Sequence, residues 1–149
     1  MTAAVIAAAG AGLVATATSA DASIPSGVHV PGQYYYVTPC AGHVIKTYNL
    51  RNEANDRRGV TKVYYSPANA GTVCVMTLDE SRGKHGETVT LRKHSLGNQT
   101  GSDRGSYQHY AGGIAVPRSN GRCFTVTGSV SYGSGGYNQY SGSGHFCHK

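Results

Sequence analysis

Residues 60–79, VTKVYYSPANAGTVCVMTLD, decide the fold of this chain. Pro, Asn and Gly at residues 67–71 supply the backbone dihedrals of a tight turn, and β-branched and aromatic residues flank that turn on both sides. The pattern predicts a β-hairpin with strands at 60–66 and 72–79. Alternate residues of the second strand share a side: Cys74, Met76 and Leu78 on one, and Val73, Val75 and Thr77 on the other. Because both sides are largely apolar, we predict a central strand that is covered on both sides.

Similar strand patterns occur before and after this hairpin. Helical periodicity is almost absent, and further β-branched or alternating runs occupy residues 34–37, 43–48, 87–93, 107–116 and 122–132. With the hairpin, these runs make six or seven short strands, with a turn signal about every 8–15 residues. The sequence therefore predicts an all-β fold, a small antiparallel β-barrel or sandwich closed by two disulfides.

Three stretches interrupt the strand pattern. Residues 50–59 and 96–105 are polar, and we predict exposed loops for both. Residues 132–146, YGSGGYNQYSGSGHF, are rich in Gly, Ser and Tyr. Because glycine makes a backbone costly to order, we predict that this C-terminal segment is mobile except where Cys147 holds it.

The N-terminal residues 1–22 have the character of an export signal. They contain no Lys or Arg, and Ala, Val, Ile, Leu, Gly and Thr dominate them. Ala20-Asp21-Ala22 forms a small-residue cleavage site before Ser23, with a second option two residues earlier. We predict a signal peptide and a secreted, extracellular protein, with a buried Ala-rich helix as the alternative. Residues 23–39 then form an extended arm and first strand, and residues 40–149 form the β domain.

Four cysteines occur in the chain: Cys40, Cys74, Cys123 and Cys147. An even number in a short exported chain predicts two disulfides. No C-x-x-C pair is present, so a zinc ribbon or a thioredoxin-like site is not indicated. Of the three possible connectivities, we favour Cys40–Cys74 with Cys123–Cys147 because each bridge closes a short loop, although spacing leaves the other two open.

Residues 62–78 read KVYYSPANAGTVCVMTL. This stretch resembles the motif TVYLTYN…NGKNCVVTL of the spore-associated protein A family of streptomycetes. Residues 103–112, DRGSYQHYAG, resemble its D-x-G-x-Y-x-x-Y-A-G-P-V, and Gly121-Arg122-Cys123 resembles its GKC. Residues 40–43 and the terminal Cys147 also agree with family positions, so the resemblance covers most of the chain after residue 39.

The resemblance implies a small exported protein associated with spores or aerial hyphae, with no agreed enzymatic activity and no catalytic residues. The chain also departs from the family pattern. It has no Trp, whereas the family carries one just after GKC, and Gly113 stands where the family has Pro.

The net charge of the chain after residue 22 indicates which kinds of partner it favours. Removal of residues 1–22 leaves thirteen basic and six acidic residues, a net charge of +7. Arg57-Arg58 and Arg92-Lys93 are the adjacent basic pairs, and no Lys/Arg-rich run of a nucleic-acid-binding protein is present. Such a charge favours either adhesion to anionic surfaces such as cell-wall polymers or simple solubility.

Tyrosine is the most suggestive residue type, with eleven copies in the chain. An exposed tyrosine ring can stack on a sugar or on another protein. We predict a cell-wall polymer or an extracellular matrix protein as partner, no nucleic acid and no membrane span. The candidate surface-binding residues are Tyr132, Tyr137, Tyr140, Arg57, Arg58, Arg92 and Lys93.

No pattern in the sequence indicates catalysis. A Gly-x-Ser-x-Gly elbow on a strand-turn-helix is absent, and we predict neither a catalytic residue, nor a metal, nor a cofactor. His145 and His148 beside Cys147 indicate at most weak metal binding. The leading hypothesis is a non-enzymatic, secreted spore- or hypha-surface protein. The alternatives are a secreted protease inhibitor or antimicrobial protein, with residues 50–59 or 96–105 as the inhibitory loop, and a small extracellular hydrolase.

Overall fold

A computed structural model describes residues 29–30, 34–37, 39–94 and 100–149. The predicted signal peptide, residues 1–22, lies outside the described residues. No helix in the described part is long and apolar enough to span a bilayer. The elements, in chain order, are β1 (His29–Val30), β2 (Tyr34–Tyr36), β3 (His43–Arg51), β4 (Arg57–Ser66), β5 (Thr72–Asp79), β6 (His85–His94), β7 (Thr100–Tyr107), β8 (Tyr110–Pro117), β9 (Arg122–Ser131), a 3-10 turn (Gly136–Asn138) and β10 (Gln139–His148).

The strands form one antiparallel sheet in the order β1-β2-β8-β5-β4-β3-β10-β9-β6-β7. The sheet curls into a nearly closed barrel of nine strands, with the two-residue β1 added beside β2. Strand β7 comes back against β8, where Asp103 Oδ2 accepts a hydrogen bond of 2.8 Å from the Gly112 N–H. The all-β, antiparallel prediction is confirmed, whereas the prediction of six or seven strands is too low.

The hairpin predicted at residues 60–79 is confirmed. Strands β4 and β5 pair from Ser66↔Thr72 to Gly59↔Asp79. Strand β5 also pairs with β8 on its other edge, which makes it a central strand. Its first six residues are buried. The turn includes Gly71 at a φ of +83°, a conformation that glycine adopts without a steric penalty.

Two apolar clusters lie on the two sides of β5, as its sequence predicts. The interior of the barrel contains Val63, Val73, Val75, Val89, Leu91, Ile114, Phe124 and Val126, among others. The outer side contains Cys40, Cys74, Met76 and Ala115, with Tyr35, Val37 and Tyr64 packed against them. The arm that leads into Cys40 therefore covers the outside of the central strand.

Both disulfides have the favoured connectivity. Cys40–Cys74 connects the end of the N-terminal arm to β5, with a sequence separation of 34 residues. Cys123–Cys147 joins directly opposed residues of β9 and β10, with a separation of 24 residues. No described cysteine is free.

The prediction of a mobile segment at residues 132–146 is wrong for its larger part. Strand β10 pairs with β9 along its whole length, from Gln139↔Ser131 to His148↔Arg122. Its glycines provide space for neighbouring groups. A Cβ on Gly144 would overlap the Tyr48 ring, and a Cβ on Gly142 would overlap the Asn49 carbonyl oxygen. Packing against β3 and pairing with β9 offset the entropy that glycine loses.

The two predicted polar loops are shorter than expected. Only residues 52–56 lie between β3 and β4, because Arg51 and Arg57 already belong to strands. Residues 100–105 belong to β7, and residues 95–99 lie outside the described part. Arg51, Arg57 and Arg58 are exposed at the ends of β3 and β4. Because exposed charged residues are also typical of loops, these strand ends have the composition of a loop.

The contact between β3 and β10 differs from the other strand pairs. These two neighbours share one registered residue pair, Ser141↔Arg51. Strands β1, β2, β8, β5, β4 and β3 lie on one side of this seam, and β10, β9, β6 and β7 lie on the other. The barrel thus consists of two well-paired halves joined at a sparsely paired seam.

Candidate binding face

Four adjacent strands display hydroxyl groups on the outside of the barrel. On β6, Val89 and Leu91 point inward and are fully buried, so the alternating Thr88 and Thr90 point outward. The same alternation applies to β9, where Val126 is buried and Thr127 is exposed. Small polar side chains therefore cover the outer surface of this half of the barrel.

The strand register aligns these side chains in rows across the sheet. One row runs Ser102, Thr90, Thr127 and Ser143, and its neighbour runs Arg104, Thr88, Ser129, Ser141 and Arg51. A third row contains Arg92, Thr125 and His145. We call these outward residues of β7, β6, β9 and β10, with Arg51 of β3, the hydroxyl face.

The hydroxyl face contains a shallow groove. Arg104 and Arg51 stand at its two sides, four strand spacings apart, which corresponds to about 19 Å. The groove has a volume of about 460 Å³ and is lined by Thr88, Thr127, Gly128, Ser129, Ser141, Gly142 and Ser143. Its polar lining can donate and accept hydrogen bonds along its length, because each hydroxyl is both a donor and an acceptor.

The charge on the hydroxyl face is of one sign. Arg51, Arg92 and Arg104 are exposed there. Strands β6 and β7 carry one carboxylate each, but alternation turns both inward, so Glu87 is 1% exposed and Asp103 is 2% exposed. Among the described residues, the rows of the hydroxyl face therefore contain cations and no carboxylate.

A polar cluster closes one end of the barrel beside this face. The buried Asp79 lies with Oδ2 2.5 Å from His85 Nδ1, and its Oδ1 accepts from the Tyr132 hydroxyl and, at 2.7 Å, from the Ser81 N–H. Burial, followed by the bond to Asp79, holds the pKa of Tyr132 well above its ordinary value. We call Arg58, Asp79, His85, Tyr132 and Tyr140 the barrel-end cluster.

The barrel-end cluster ties several turns together. The Tyr132 hydroxyl oxygen also lies 3.0 Å from the Arg58 carbonyl oxygen, so its single proton is shared between this carbonyl and Asp79. The Arg58 guanidinium lies 5.6 Å from the centre of the Tyr132 ring and 5.9 Å from that of Tyr140. These contacts join the ends of β4, β5, β6 and β9, so the cluster has a clear structural role.

Five of the seven predicted surface-binding residues meet at this end of the barrel, but they differ in accessibility. Tyr137 is 67% exposed, whereas Tyr140 is only 4% exposed and Tyr132 is half-buried. The prediction of Tyr140 as a surface-binding residue is wrong, because its ring packs with Leu50 and Val130. Arg57 is paired with Glu80 at 3.0 Å, which compensates its charge.

The other two predicted residues, Arg92 and Lys93, lie on opposite sides of β6. Arg92 is exposed on the hydroxyl face. Lys93 is 9% exposed, and its Nζ donates to the carbonyls of Arg118 at 3.2 Å and Pro117 at 3.4 Å. Burial, and then the nearby charge of Arg122, lowers the pKa of Lys93. The prediction of Lys93 as a surface-binding residue is therefore wrong, because neighbouring strand residues alternate.

The Asp79–His85 pair has the composition of an acid–base dyad. His85 contacts the Asp79 carboxylate and the Tyr132 ring. The two ring centres are 4.3 Å apart, in an edge-to-face arrangement. Among the described hydrogen bonds, neither nitrogen of His85 contacts a Ser, Thr or Cys side chain. A nucleophile activated by this imidazole would need such a contact.

Sequence reasoning missed the hydroxyl face as a unit. A signal was present in the alternation of residues 88–92, 125–131 and 141–143, in which every second residue is Thr, Ser or Arg. Each run alone is typical of an ordinary half-exposed strand. Only the strand order places them side by side.

Comparison with known proteins adds no functional assignment. No family model, no curated protein and no solved structure matches the chain. The functional argument therefore depends on the geometry and chemistry of the described residues.

Proposed function

We propose that this protein is a non-enzymatic, exported protein of the spore or hyphal surface that binds an anionic, hydroxyl-rich cell-wall polymer through its hydroxyl face. The observation that carries the proposal is the combination of hydroxyl rows with exclusively cationic charge on one rigid surface. An anionic glycan or polyol polymer is complementary to both properties.

The hydroxyl side chains and the arginines of the hydroxyl face would bind different groups of the polymer. Ser and Thr hydroxyls exchange hydrogen bonds with the hydroxyls of the polymer, and each such bond contributes about 0.5–1.5 kcal/mol. Arginine presents a planar fork of donors that suits phosphate and carboxylate groups. Because the side chains are short and stand on a paired sheet, little conformational entropy is lost on binding. Many weak contacts along the groove then together hold the protein on the cell-wall polymer.

Export is supported by the two disulfides, because such bridges persist in oxidising compartments and are rare in the cytosol. The predicted signal peptide at residues 1–22 has the same implication. The assignment to spores or hyphae depends on the family resemblance of residues 40–147. Of the two candidate inhibitory loops, residues 50–59 contain only a short turn at residues 52–56 between β3 and β4, and residues 96–99 of the other lie outside the described part.

The test is co-sedimentation of the purified protein with isolated cell walls in rising salt. The test variant, Arg51→Gln with Arg104→Gln, removes the two cations that border the groove. The control, Arg82→Gln with Lys84→Gln, removes the same charge from the exposed β5–β6 turn. We expect release of the test variant at clearly lower salt than wild type, and of the control at nearly the wild-type salt concentration.

Walls stripped of their anionic polymer provide the second comparison. Loss of binding to stripped walls supports an anionic polymer as the ligand. Equal binding to intact and stripped walls would refute the anionic ligand, and no binding to either would refute the proposal as a whole. Equal release of the two variants would show that net charge, and not the hydroxyl face, determines retention.

A further inference from the structure

Four metal-binding side chains lie together at the end of the hydroxyl face opposite the barrel-end cluster. His94 of β6 and Cys147 of β10 are both paired with Cys123 of β9. His145 precedes Cys147 by two residues and therefore points to the same side of β10. Three adjacent strands thus present two sulfurs and two imidazoles on one outward patch.

The distances approach those of a tetrahedral site. The ligand atoms of Cys123, His145 and Cys147 all lie within 4.8 Å of one another, and His145 Nε2 is 3.9 Å from Cys147 Sγ. With Zn–S and Zn–N bonds of about 2.3 and 2.0 Å, ligand atoms in a tetrahedral zinc site are about 3.5–3.8 Å apart. Shifts of about 1 Å therefore suffice to gather these three ligands around one ion.

Thr125 would support the two imidazoles. Its Oγ1 lies 2.7 Å from His94 Nε2 and 3.5 Å from His145 Nδ1. A hydrogen bond at Nδ1 leaves Nε2 of His145 directed at the sulfurs, which is how outer partners commonly orient a metal-binding histidine. The His94 ring centre is 5.2 Å from that of His145. A rotation of the His94 side chain that exchanges its hydrogen bond to Thr125 for a bond to the metal would supply the fourth ligand.

We propose that Cys123, Cys147, His145 and His94 bind Zn²⁺ when the Cys123–Cys147 disulfide is reduced. The reductant is a low-molecular-weight thiol, two molecules of which are oxidised to their disulfide while the bridge takes up two electrons and two protons. Zinc then displaces the two thiol protons to form two Zn–S bonds, and the two neutral imidazoles complete the shell. A low-molecular-weight disulfide reverses the exchange: it takes up two electrons and two protons and leaves as two thiols, while the bridge reforms and the ion is released.

The Cys40–Cys74 disulfide differs from Cys123–Cys147 in its solvent exposure. Cys40 and Cys74 are 8% and 2% exposed and lie among apolar neighbours, whereas Cys123 is half-buried and Cys147 is exposed. A thiol therefore reaches Cys147 much more readily. Arg92 lies in the row of His145, on the same outward side of the sheet as the two sulfurs. Its positive charge favours the thiolate, which is the form that binds metal.

The experiment uses the full-length protein and Co²⁺ as a spectroscopic probe, with Zn²⁺ as competitor. The protein is treated with reduced glutathione until two thiols per chain titrate, freed of glutathione and mixed with Co²⁺. We expect one Co²⁺ per chain, with sulfur-to-cobalt charge transfer and the strong visible bands of tetrahedral cobalt, both abolished by Zn²⁺. The untreated, disulfide-bonded protein should show neither.

Substitutions identify the ligands. His145→Ala and His94→Ala each keep both thiols, and we expect each to weaken binding by more than the roughly 10–100-fold that loss of an outer-sphere partner costs. His109→Ala, at an exposed position in the β7–β8 turn, is the matched control and should bind as wild type does.

Three results would overturn the proposal. One is failure of the thiol to open the Cys123–Cys147 bridge. Another is cobalt binding without sulfur charge transfer. The third is equal affinity in the two histidine variants and the His109→Ala control.

Discussion

Removal of the Cys40–Cys74 bridge tests whether covalent closure stabilises this barrel. In the double variant Cys40→Ala, Cys74→Ala, the chain loses a closed loop of 34 residues. The chain-entropy relation gives a loss of about 3.8 kcal/mol for this loop at 25 °C, and about 3.4 kcal/mol for the 24-residue loop of Cys123–Cys147. The space left around Met76 and Ala115, which pack against the buried bridge, adds to the first value.

Equilibrium unfolding in urea measures this difference for the wild type, for Cys40→Ala with Cys74→Ala, and for Cys123→Ala with Cys147→Ala. We expect the wild type to have the highest midpoint, the Cys123–Cys147 variant an intermediate one and the Cys40–Cys74 variant the lowest. In thermal unfolding, a loss of this size in a domain of about 110–130 residues corresponds to a decrease in Tm of about 10–15 °C. The urea slope should rise in both variants, because the unfolded chain becomes less compact.

A Cys40–Cys74 variant within about 1 kcal/mol of wild type would refute this reasoning. It would mean that packing of Tyr35 and Val37 on β5 holds the N-terminal arm without help from the bridge. A larger loss in the Cys123–Cys147 variant would also refute it, since the shorter loop and the exposed position both predict the smaller effect.

Three further predictions concern single positions. Gly144→Ala places a methyl group in the Tyr48 ring, so we expect a loss of about 1–3 kcal/mol in urea unfolding, and unchanged stability would contradict the packing assigned to β10. The pKa of Tyr132 is raised above its ordinary value of 10.0, so the fold favours the neutral phenol. The contribution of the neutral Tyr132 phenol to the free energy of unfolding is complete below pH 10. It is lost as the pH rises through the raised pKa, by up to about 1.4 kcal/mol per pH unit. Tyr132→Phe should therefore flatten the alkaline limb of a stability–pH profile, and an unchanged limb would count against this assignment. Thr127→Val removes one hydroxyl from the groove, and we expect wall binding to weaken about 2–10-fold. Its salt dependence should not change, because Thr127 acts through a hydrogen bond and carries no charge. An altered salt dependence would contradict that role.

The parts of the fold that local sequence determines could be predicted. The β4–β5 hairpin follows from turn residues between two β-branched runs, and the structure pairs its two strands over eight residue pairs. The two-sided burial of β5 follows from apolar residues on both sides. These features depend on neighbours within 20 residues of each other in the chain, so their patterns are complete within a short window.

Strands β7 and β10 could not be predicted, because their own residues have weak strand propensity. Gly, Ser and Asp make up five of the eight residues of β7, and Gly and Ser make up four of the ten residues of β10. Each is held by a partner that does have a strong pattern, β6 for β7 and β9 for β10. Pairing and packing with such partners override the local preference.

The candidate site was predicted in fragments. Tyrosines and arginines from distant segments were grouped as one surface, and five of them do meet at the barrel end. Burial removes Tyr140 from that surface, and alternation along β6 turns Lys93 inward. The hydroxyl face required the order β7-β6-β9-β10, and no local pattern in the sequence specifies that order.

The sparsely paired seam between β3 and β10 has a consequence for how the molecule opens. The Cys40–Cys74 bridge lies wholly in one half and the Cys123–Cys147 bridge wholly in the other, so neither crosses the seam. A fluctuation that parts β3 from β10 breaks one registered pair and no covalent bond. Backbone amides along this line should exchange with deuterated solvent earlier than those of β5 and β9. Oxidising conditions therefore close each half covalently, whereas non-covalent contacts alone hold β3 against β10.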